Sequence, residues 1–394
     1  MRGPALLLPT VLLLGLAAGS ARAQIPIDPV PVDPIPLEVY DVAVDLRAPR
    51  ILPRRHRFRT FLRVRIRNPG PLPVHVTGVE LLARSAGGAD LGPAEPIRVR
   101  PIELAPGRST LAFFRWKAPS GGLAEGEPVL FFACAATVET DGNPENDCDL
   151  ELATPREHPA QLVIDDAFED EGSYWEWYQN GTGTHALAGG SAAFTVTGAS
   201  HAGAYSDAEI NDYRRGPERG FPWGPGLRLE LRARASDSNG LDSDGGRGTR
   251  GFGFWNLGRG GPGAPDAMTN AWFLSISPES LGFGILAATV FDRGQPVFLQ
   301  ALPTDLRRWH RYGIVWTPSG VTFTVDDRPL AATSAAPADP LGFVAWIDNY
   351  RLEVTPDGIG TSFLDLDQDQ TLFVDHLRIW SFGEPLADPG TGRR

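Results

Sequence analysis

The segment that decides the fold is residues 309–330, WHRYGIVWTPSGVTFTVDDRPL. Large apolar residues occupy every second position on either side of the turn sequence TPSG, namely Tyr312, Ile314 and Trp316, then Val321, Phe323 and Val325. Because successive side chains of a strand point to opposite faces, each run predicts a strand with one buried face. The short connection between them predicts an antiparallel hairpin.

Residues 162–382 continue in the same style. Short strand patterns alternate with turn signals, no helical periodicity persists, and nine of the ten tryptophans lie in this part of the chain. Strands of this kind over some 220 residues favour a sandwich of two large sheets. We therefore predict an all-β domain over 162–382.

The N-terminal segment 1–23 has the features of a secretory signal peptide. Arg2 precedes an apolar run, and the small-residue sequence Ala21-Arg22-Ala23 ends it, so cleavage is expected before Gln24. No second apolar run has membrane length. We expect a secreted or periplasmic protein without a membrane span, with a proline-rich tether at 24–36 and a disordered tail at 383–394.

Residues 37–153 predict a second, separate β-domain. The segment 61–67, FLRVRIR, alternates apolar residues with arginines, and about seven such strands fit an immunoglobulin-like sandwich. Its GNPENDCDLEL stretch (142–152) resembles bacterial CARDB-type adhesion modules. In an exported chain, Cys134 and Cys148 are expected to form a disulfide. Residues 154–161 are the predicted linker to the next domain.

The net charge of the chain limits the classes of partner that it can bind. The chain carries 48 acidic against 36 basic residues, a net charge of −12. This balance argues against nucleic acid as a partner. The sequence leaves the oligomeric state open.

Several segments of 162–382 resemble, in the expected order, the concanavalin A-like lectin and glucanase superfamily, and glycoside hydrolase family 16 in particular. They are PWGPGLRLELRARA (222–235), GFGFWNL (251–257), the hairpin at 309–330 and LFVDHLRIW (372–380). The resemblance implies a β-jelly-roll whose concave sheet cradles a glycan chain. It also implies two catalytic glutamates on one strand, in the pattern E-x-D-x-(x)-E.

The strand that should carry those glutamates reads TNAWFLSISPES (269–280), and it contains no carboxylate before Glu279. Its alternation predicts Trp272 and Leu274 in the core, with Phe273 and Ser275 facing the groove. Serine cannot replace either glutamate, because it is not acidic enough to protonate a leaving group. The sequence thus favours a groove without the family's chemistry.

Sugar recognition without catalysis needs aromatic faces beside amides and carboxylates. The candidate carbohydrate-binding residues are Trp255, Asn256, Phe273, Ser275, Trp346, Asp348 and Asn349. If the protein is instead a divergent hydrolase, its carboxylates would come from other positions. The alternatives are Asp266, Asp348, Glu169 and Glu176.

The resemblance also implies a structural calcium site, because Asp375 matches an aspartate of the family's last strand. A solvated acidic turn is the other interpretation of that region, and no further cofactor is expected. Our leading hypothesis is a non-catalytic protein that binds a polysaccharide or surface glycan. The alternatives are a glycoside hydrolase or transglycosylase and a structural adhesion spacer.

Overall fold

The computed structural model describes residues 40–52, 59–119, 127–143, 145–156, 159–172, 174–213, 220–236, 248–256, 268–278, 285–355 and 358–382. Within them every regular element is a β-strand, which confirms the all-β prediction. No helix that could span a membrane occurs among them. The predicted signal peptide, the tether and the tail lie outside the described residues.

The strands fall into two groups along the chain. The first group is β1 (Ala43–Arg47), β2 (Ile51–Leu52), β3 (Arg59–Arg67), β4 (Val74–Ser85), β5 (Asp90–Pro93), β6 (Glu95–Arg98), β7 (Ile102–Leu104), β8 (Ser109–Lys117), β9 (Val129–Thr137) and β10 (Cys148–Pro155). The second group is β11 (Gln161–Asp166), β12 (Glu176–Asn180), β13 (Gly183–Ala188), β14 (Ser191–Val196), β15 (Asp207–Asn211), β16 (Leu227–Ala235), β17 (Arg250–Asn256), β18 (Thr269–Pro278), β19 (Ile285–Asp292), β20 (Gln295–Ala301), β21 (His310–Thr317), β22 (Gly320–Val325), β23 (Arg328–Thr333), β24 (Gly342–Asp348), β25 (Tyr350–Thr355), β26 (Gly358–Phe363) and β27 (Gln370–Ser381).

The first group forms a small sandwich. One sheet has the order β1-β3-β8-β6, and the other has the order β2-β10-β9-β4-β5 with β7 beside β4. The alternation of β3 works as predicted, because Val64 is buried while its neighbour Arg65 is exposed. Trp116 packs edge-on against Phe131 at 5.1 Å between ring centroids. The predicted disulfide between Cys134 and Cys148 joins paired positions of β9 and β10.

The second group forms a larger sandwich of two sheets. The eight-stranded sheet has the order β13-β14-β27-β16-β21-β22-β23, with β11 beside β27. The nine-stranded sheet has the order β12-β15-β24-β17-β18-β19-β20, with β25 and β26 continuing from β18. The decisive hairpin is β21–β22 of the first of these sheets. Tyr312 pairs with Val325 and Trp316 with Val321, as the alternation predicts.

The core of this sandwich is rich in aromatic rings. Tyr312 of the eight-stranded sheet lies 4.8 Å from Phe252 and 5.1 Å from Phe273 of the nine-stranded sheet, measured between ring centroids. Phe273 also contacts Phe323 edge-on at 5.3 Å. Each fully buried ring of this size contributes about 1.5–3 kcal/mol through removal of apolar surface from water. These contacts fix which face of each strand is internal.

The first sandwich packs against the outer face of the eight-stranded sheet. An apolar cluster joins the two sandwiches there, made of Ala86, Leu130, Phe132, Leu150 and Leu152 with Val315 and Phe382. Thr322 Oγ1 donates a hydrogen bond of 2.6 Å to the carbonyl of Ala86. Thr322 is therefore fully buried on the side of β22 that faces away from the sandwich core.

Candidate functional site

The outer face of the nine-stranded sheet carries a continuous set of aromatic and polar side chains, which we call the tryptophan face. Phe252 and Phe254 of β17 point into the core, so the alternate residues of β17 point outward. The register extends this face over the neighbouring strands. Its members are Gly251, Gly253, Trp255, Asn270, Trp272, Leu274, Thr289, Val344, Trp346, Asp348, Asp207, Glu209 and Asn211.

Strand β18 shows the reverse of its predicted facing, and this is a correction. Phe273 is fully buried in the core between the sheets, whereas Trp272 and Leu274 belong to a separate cluster with Val344 and Trp346. Ser275 shares the inner face with Phe273 and is itself buried. Phe273 therefore cannot contact a ligand on the outer face. The described outward residues of β18 still include no carboxylate.

Three tryptophans from neighbouring strands lie side by side on this face. The rings of Trp272 and Trp346 are 4.7 Å apart, and those of Trp255 and Trp272 are 5.7 Å apart. Trp272 is 4% exposed and Trp346 is 8% exposed, while Trp255 is half-buried. Trp255 is thus the most accessible indole of the three.

Two glycines of β17 make room for these rings. A Cβ atom on Gly251 would lie 2.6 Å from Cη2 of Trp346. A Cβ atom on Gly253 would lie 2.7 Å from the Cβ of Trp272. The indoles therefore extend over β17 only because that strand has glycine at both outward positions.

Four hydrogen-bond donors of the tryptophan face make no hydrogen bond within the part of the chain that the structure describes. They are Nε1 of Trp255, Nε1 of Trp272, Nδ2 of Asn270 and Oγ1 of Thr289. Trp255 is paired with Asn270 in the ladder and Trp272 with Thr289, so the four atoms share one region. A buried polar group without a partner costs about 1–3 kcal/mol. Donors of this kind are suited to a ligand rich in hydroxyl oxygens.

Carboxylates border the tryptophans on the same face. Asp207 of β15 is paired with Asp348 of β24, and Glu209 is paired with Trp346. Directly opposed residues of an antiparallel pair have Cβ atoms about 4.5–5.5 Å apart. The register therefore brings two aspartates and a glutamate to one end of the face.

Asp348 is held by hydrogen bonds at both oxygens. Its Oδ1 accepts from Thr249 Oγ1 at 2.6 Å and from the backbone N–H of Tyr350 at 2.9 Å. Its Oδ2 accepts from the hydroxyl of Tyr205 at 3.4 Å. Burial raises the pKa of Asp348 to about 7, although these bonds act in the opposite direction. Such a carboxyl group changes its protonation state near neutral pH.

Glu209 is also oriented by its neighbours. Its Oε1 accepts hydrogen bonds from Nδ2 of Asn211 at 2.8 Å and from the hydroxyl of Tyr213 at 3.0 Å. Tyr213 in turn packs against the Trp255 ring at 5.9 Å. The acidic and the aromatic parts of the face are thus connected.

Two predicted ligand contacts have structural roles instead. Nδ2 of Asn349 donates to the carbonyls of His201, Ala204 and Leu364, and its Oδ1 accepts from the N–H of Ser206. Asn256 donates to the carbonyl of Pro340 and accepts from the N–H of Thr269. Both amides connect loops to strands, so they are not available to a sugar hydroxyl.

The structure places the remaining carboxylate candidates at different positions. Glu176 is exposed on β12, the edge strand of the nine-stranded sheet, and its pairing with Asn211 puts it on the same outer face at that edge. Glu169 is exposed in the connection between β11 and β12. Asp266 lies outside the described residues. Of the three predicted carboxylates that the structure describes, Asp348 is on the strand that carries Trp346, and Glu176 is at the edge of the same face.

Asp375 lies on the other sheet, on the outward side of β27. Its Oδ2 accepts a hydrogen bond from Nη1 of Arg232. A guanidinium group at this carboxylate disfavours a cation there. Among the described residues, no group of three or more His, Cys, Asp or Glu side chains could hold a metal ion. The calcium site therefore remains a prediction that the donor set does not favour.

Five residues of this face were not among the predicted site residues: Asp207, Glu209, Asn270 and Thr289 were not singled out, and Trp272 was predicted in the core. A signal was present for the first two, since YSDAEINDY (205–213) alternates polar with apolar residues around Ala208 and Ile210. The outward position of Trp272 was indicated by the neighbouring segment GFGFWN (251–256), in which phenylalanine and glycine alternate. A strand with glycine on one face needs large side chains from its neighbours to cover that face.

The chain matches no protein-family model and no curated protein. Solved structures that resemble it include a kappa-carrageenase from Pseudoalteromonas carrageenovora in complex with an oligotetrasaccharide of kappa-carrageenan. That pair shares 13% identity over 57% of this chain and 96% of the other, with a TM-score of 0.39. A putative β-glucanase from Mycobacterium abscessus shares 16% identity over 56% of this chain and 100% of the other, also with a TM-score of 0.39.

A third similar structure is a GlcNAcα1-4Gal-releasing endo-β-galactosidase from Clostridium perfringens. It shares 14% identity over 58% of this chain and 64% of the other, with a TM-score of 0.38. Similarity at this level does not assign an activity to the chain.

Proposed function

We propose that this chain is an exported protein that binds a polysaccharide or surface glycan on the tryptophan face and does not cleave it. The observation that carries the proposal is the composition of β18. At the positions where the family-16 resemblance calls for outward glutamates, this strand presents Trp272 and Leu274. A hydrolase of that kind needs a carboxyl pair about 5–5.5 Å apart.

The polar atoms of the face support a saccharide as the ligand. Indole rings offer flat apolar surfaces to the C–H faces of pyranose rings, and their N–H groups donate to hydroxyls. Trp255 and Trp272 each have such a donor, with Nδ2 of Asn270 and the hydroxyl of Thr289 beside them. All four atoms are buried in this structure, so a ligand with several hydroxyl oxygens would satisfy them only after the side chains that cover them move aside.

The test is binding of the purified full-length chain to laminarin, mixed-linkage glucan, agarose and carrageenan, measured by isothermal titration calorimetry. The informative variant is Trp255→Phe, which keeps a ring in the stack and removes the N–H donor. We expect the affinity to fall about tenfold, because the variant cannot form the hydrogen bond from Nε1 of Trp255 to the ligand. The free energy of unfolding should change little, since Nε1 of Trp255 bonds to no described residue.

The matched control is Trp380→Phe. Trp380 is half-buried on β27 of the other sheet, where Arg228 lies over its ring at 4.8 Å. The Trp380→Phe variant should bind the glycan with the same affinity as the natural chain. Equal losses in the two variants, or no binding of any of these polysaccharides by a folded chain, would contradict the proposal.

The second candidate is hydrolysis, and the pairing of Asp207 with Asp348 favours it. Asp348, with its pKa near 7, would serve as the general acid, and Asp207 or Glu209 would serve as the base or nucleophile. The assay is release of reducing ends from the same four polysaccharides. Activity that is abolished in both Asp348→Asn and Asp207→Asn would establish this candidate in place of the first. Activity that persists in both variants would exclude these carboxyl groups.

A further inference from the structure

A cavity of about 450 Å³ lies where the two sandwiches meet, beside the outer face of the eight-stranded sheet. Both sandwiches line it. The first contributes Gly142, Asn143 and Glu145 from the β9–β10 connection, and the second contributes Arg232, Arg234, Arg307, Arg308 and Trp309. Small-molecule sites in proteins have volumes of about 300–1,000 Å³. The cavity is therefore large enough for a sugar unit rather than a bare ion.

The lining is cationic although the chain as a whole is acidic. Arg232 pairs with Glu145, from Nε to Oε2 at 2.9 Å, and Arg307 pairs with Asp305 at 3.0 Å. Arg234 and Arg308 form no ion pair with any residue in the described part of the chain. Among the described residues, two guanidinium groups of this cavity thus have no carboxylate partner, although the net charge of the chain is −12.

Aromatic rings hold two of the arginines in place. The guanidinium carbon of Arg232 lies 4.6 Å from the centroid of the Trp309 ring. That of Arg234 lies 5.2 Å from the same ring and 4.1 Å from the ring of Phe373. Stacking restrains a guanidinium plane and leaves its N–H edges available, which reduces the entropy lost when an anion binds.

We propose that this cavity binds an anionic sugar unit, in which a sulfate ester or a carboxylate contacts Arg234 and Arg308 while the sugar ring lies near Trp309. The guanidinium fork matches either oxyanion with two parallel hydrogen bonds. The site is separate from the tryptophan face, because β16 belongs to the opposite sheet of the sandwich. The inference therefore goes beyond the proposed function and does not depend on it.

The experiment is calorimetric titration of the full-length chain with dextran sulfate, polygalacturonate and unmodified dextran. We expect a charged polymer to bind and unmodified dextran not to bind. Binding of dextran sulfate alone identifies a sulfate ester as the ligand group, and binding of polygalacturonate alone identifies a carboxylate. The affinity should fall as the ionic strength rises from about 0.05 M to about 0.3 M, because salt screens the contact.

The variants Arg308→Gln and Arg234→Gln should each weaken this binding about tenfold, since each removes a charge-assisted contact. Arg308 is exposed, so its variant keeps the test valid if the stacked Arg234 proves necessary for folding. The matched control is Arg65→Gln, an equal change of charge at an exposed position of β3. An equal loss in this control, or no binding of either charged polymer, would overturn the proposal.

The Trp255→Phe variant separates the two proposals. Binding of the charged polymer should be unaffected by it, because Trp255 lies on the tryptophan face. A loss of charged-polymer binding in Trp255→Phe but not in Arg308→Gln would assign the anion to the tryptophan face and overturn the cavity as its site.

Discussion

Gly253 of β17 lies directly opposite Trp272 of β18, and the glycine is required for the indole to extend over its strand. A Cβ atom at position 253 would lie 2.6 Å from the Cα of Trp272 and 2.6 Å from the carbonyl oxygen of Ala271. The φ angle of Gly253 is +147°, a backbone conformation that other residues rarely adopt. The tryptophan face thus depends on a residue that has no side chain.

We therefore predict that Gly253→Ala destabilises the chain by about 3 kcal/mol or more, because overpacking and backbone strain act together. The measurement is chemical denaturation followed by tryptophan fluorescence. Gly78→Ala is the matched control, since a Cβ atom there would meet nothing within 4 Å. It should change the free energy of unfolding by less than about 1 kcal/mol. Similar losses of unfolding free energy in Gly253→Ala and Gly78→Ala would contradict the prediction that crowding at position 253 destabilises the chain.

The hairpin of 309–330 was predictable from sequence because its two strands alternate strongly. Tyr312 and Trp316 face the core, whereas Gly313 and Thr322 do not. The facing of β18 was not predictable, because both of its faces are buried: Trp272 and Leu274 on one side, Ala271 and Phe273 on the other. In a strand covered on both sides, alternation of hydrophobic types does not tell which face is internal.

The covering of the tryptophan face involves side chains from distant segments, and local sequence does not report such contacts. Tyr213 contacts both Trp255 and Phe221, at ring distances of 5.9 Å and 5.3 Å. The pairing of Asp207 with Asp348 likewise joins strands that are far apart in the chain. Predicting which residues form the site therefore requires the order of the strands in the sheet. The sequence patterns do not specify that order.

The second prediction concerns pH and Asp348. Burial raises its pKa in the folded state to about 7, well above the value of about 3.9 expected in the unfolded chain. The folded state therefore binds the proton more tightly, so the free energy of unfolding should decrease as pH rises from about 5 to about 8. Burial also raises the pKa values of Asp147, Asp212 and Asp327 to about 7, and these groups act in the same direction.

Asp348→Asn should reduce this pH dependence, because a neutral amide removes one of the four carboxyl groups whose pKa burial raises to about 7. The measurement is urea denaturation at pH 5 and pH 8. Asp367→Asn, at an exposed position, is the control and should leave the slope unchanged. A slope in Asp348→Asn identical to that of the natural chain would show that Asp348 is not protonated more readily in the folded state.

The third prediction concerns the disulfide. Cys134 and Cys148 are 14 residues apart and close the β9–β10 connection that also lines the cationic cavity. Replacing both with alanine should lower the free energy of unfolding by about 3 kcal/mol, since the unfolded chain regains the entropy of an open loop. Denaturation of the double variant, compared with the natural chain under reducing conditions, checks this. A difference that persists after reduction would indicate a packing effect of the alanines instead.

The last prediction concerns the ion pair between the two sandwiches. Nη2 of Arg328 lies 2.9 Å from Oδ2 of Asp147, and burial raises the pKa of Asp147 to about 7 although the charge of Arg328 lowers it. Without that guanidinium the buried carboxylate loses its counter-charge. Because the Arg328 side chain is 46% exposed, solvent screening limits the expected loss in Arg328→Ala to about 1–2 kcal/mol at pH 8.

The same variant should lose much less at pH 5.5, because a protonated Asp147 has no charge to compensate. Comparing the loss of unfolding free energy at the two pH values thus separates two contributions. The contribution of the ion pair depends on pH, whereas that of the packed arginine stem is the same at pH 5.5 and pH 8. Arg65→Ala, on the exposed side of β3, provides the control for removal of a positive charge. Equal losses at pH 5.5 and pH 8 in Arg328→Ala would mean that packing, and not the charge on Asp147, makes this contact stabilising.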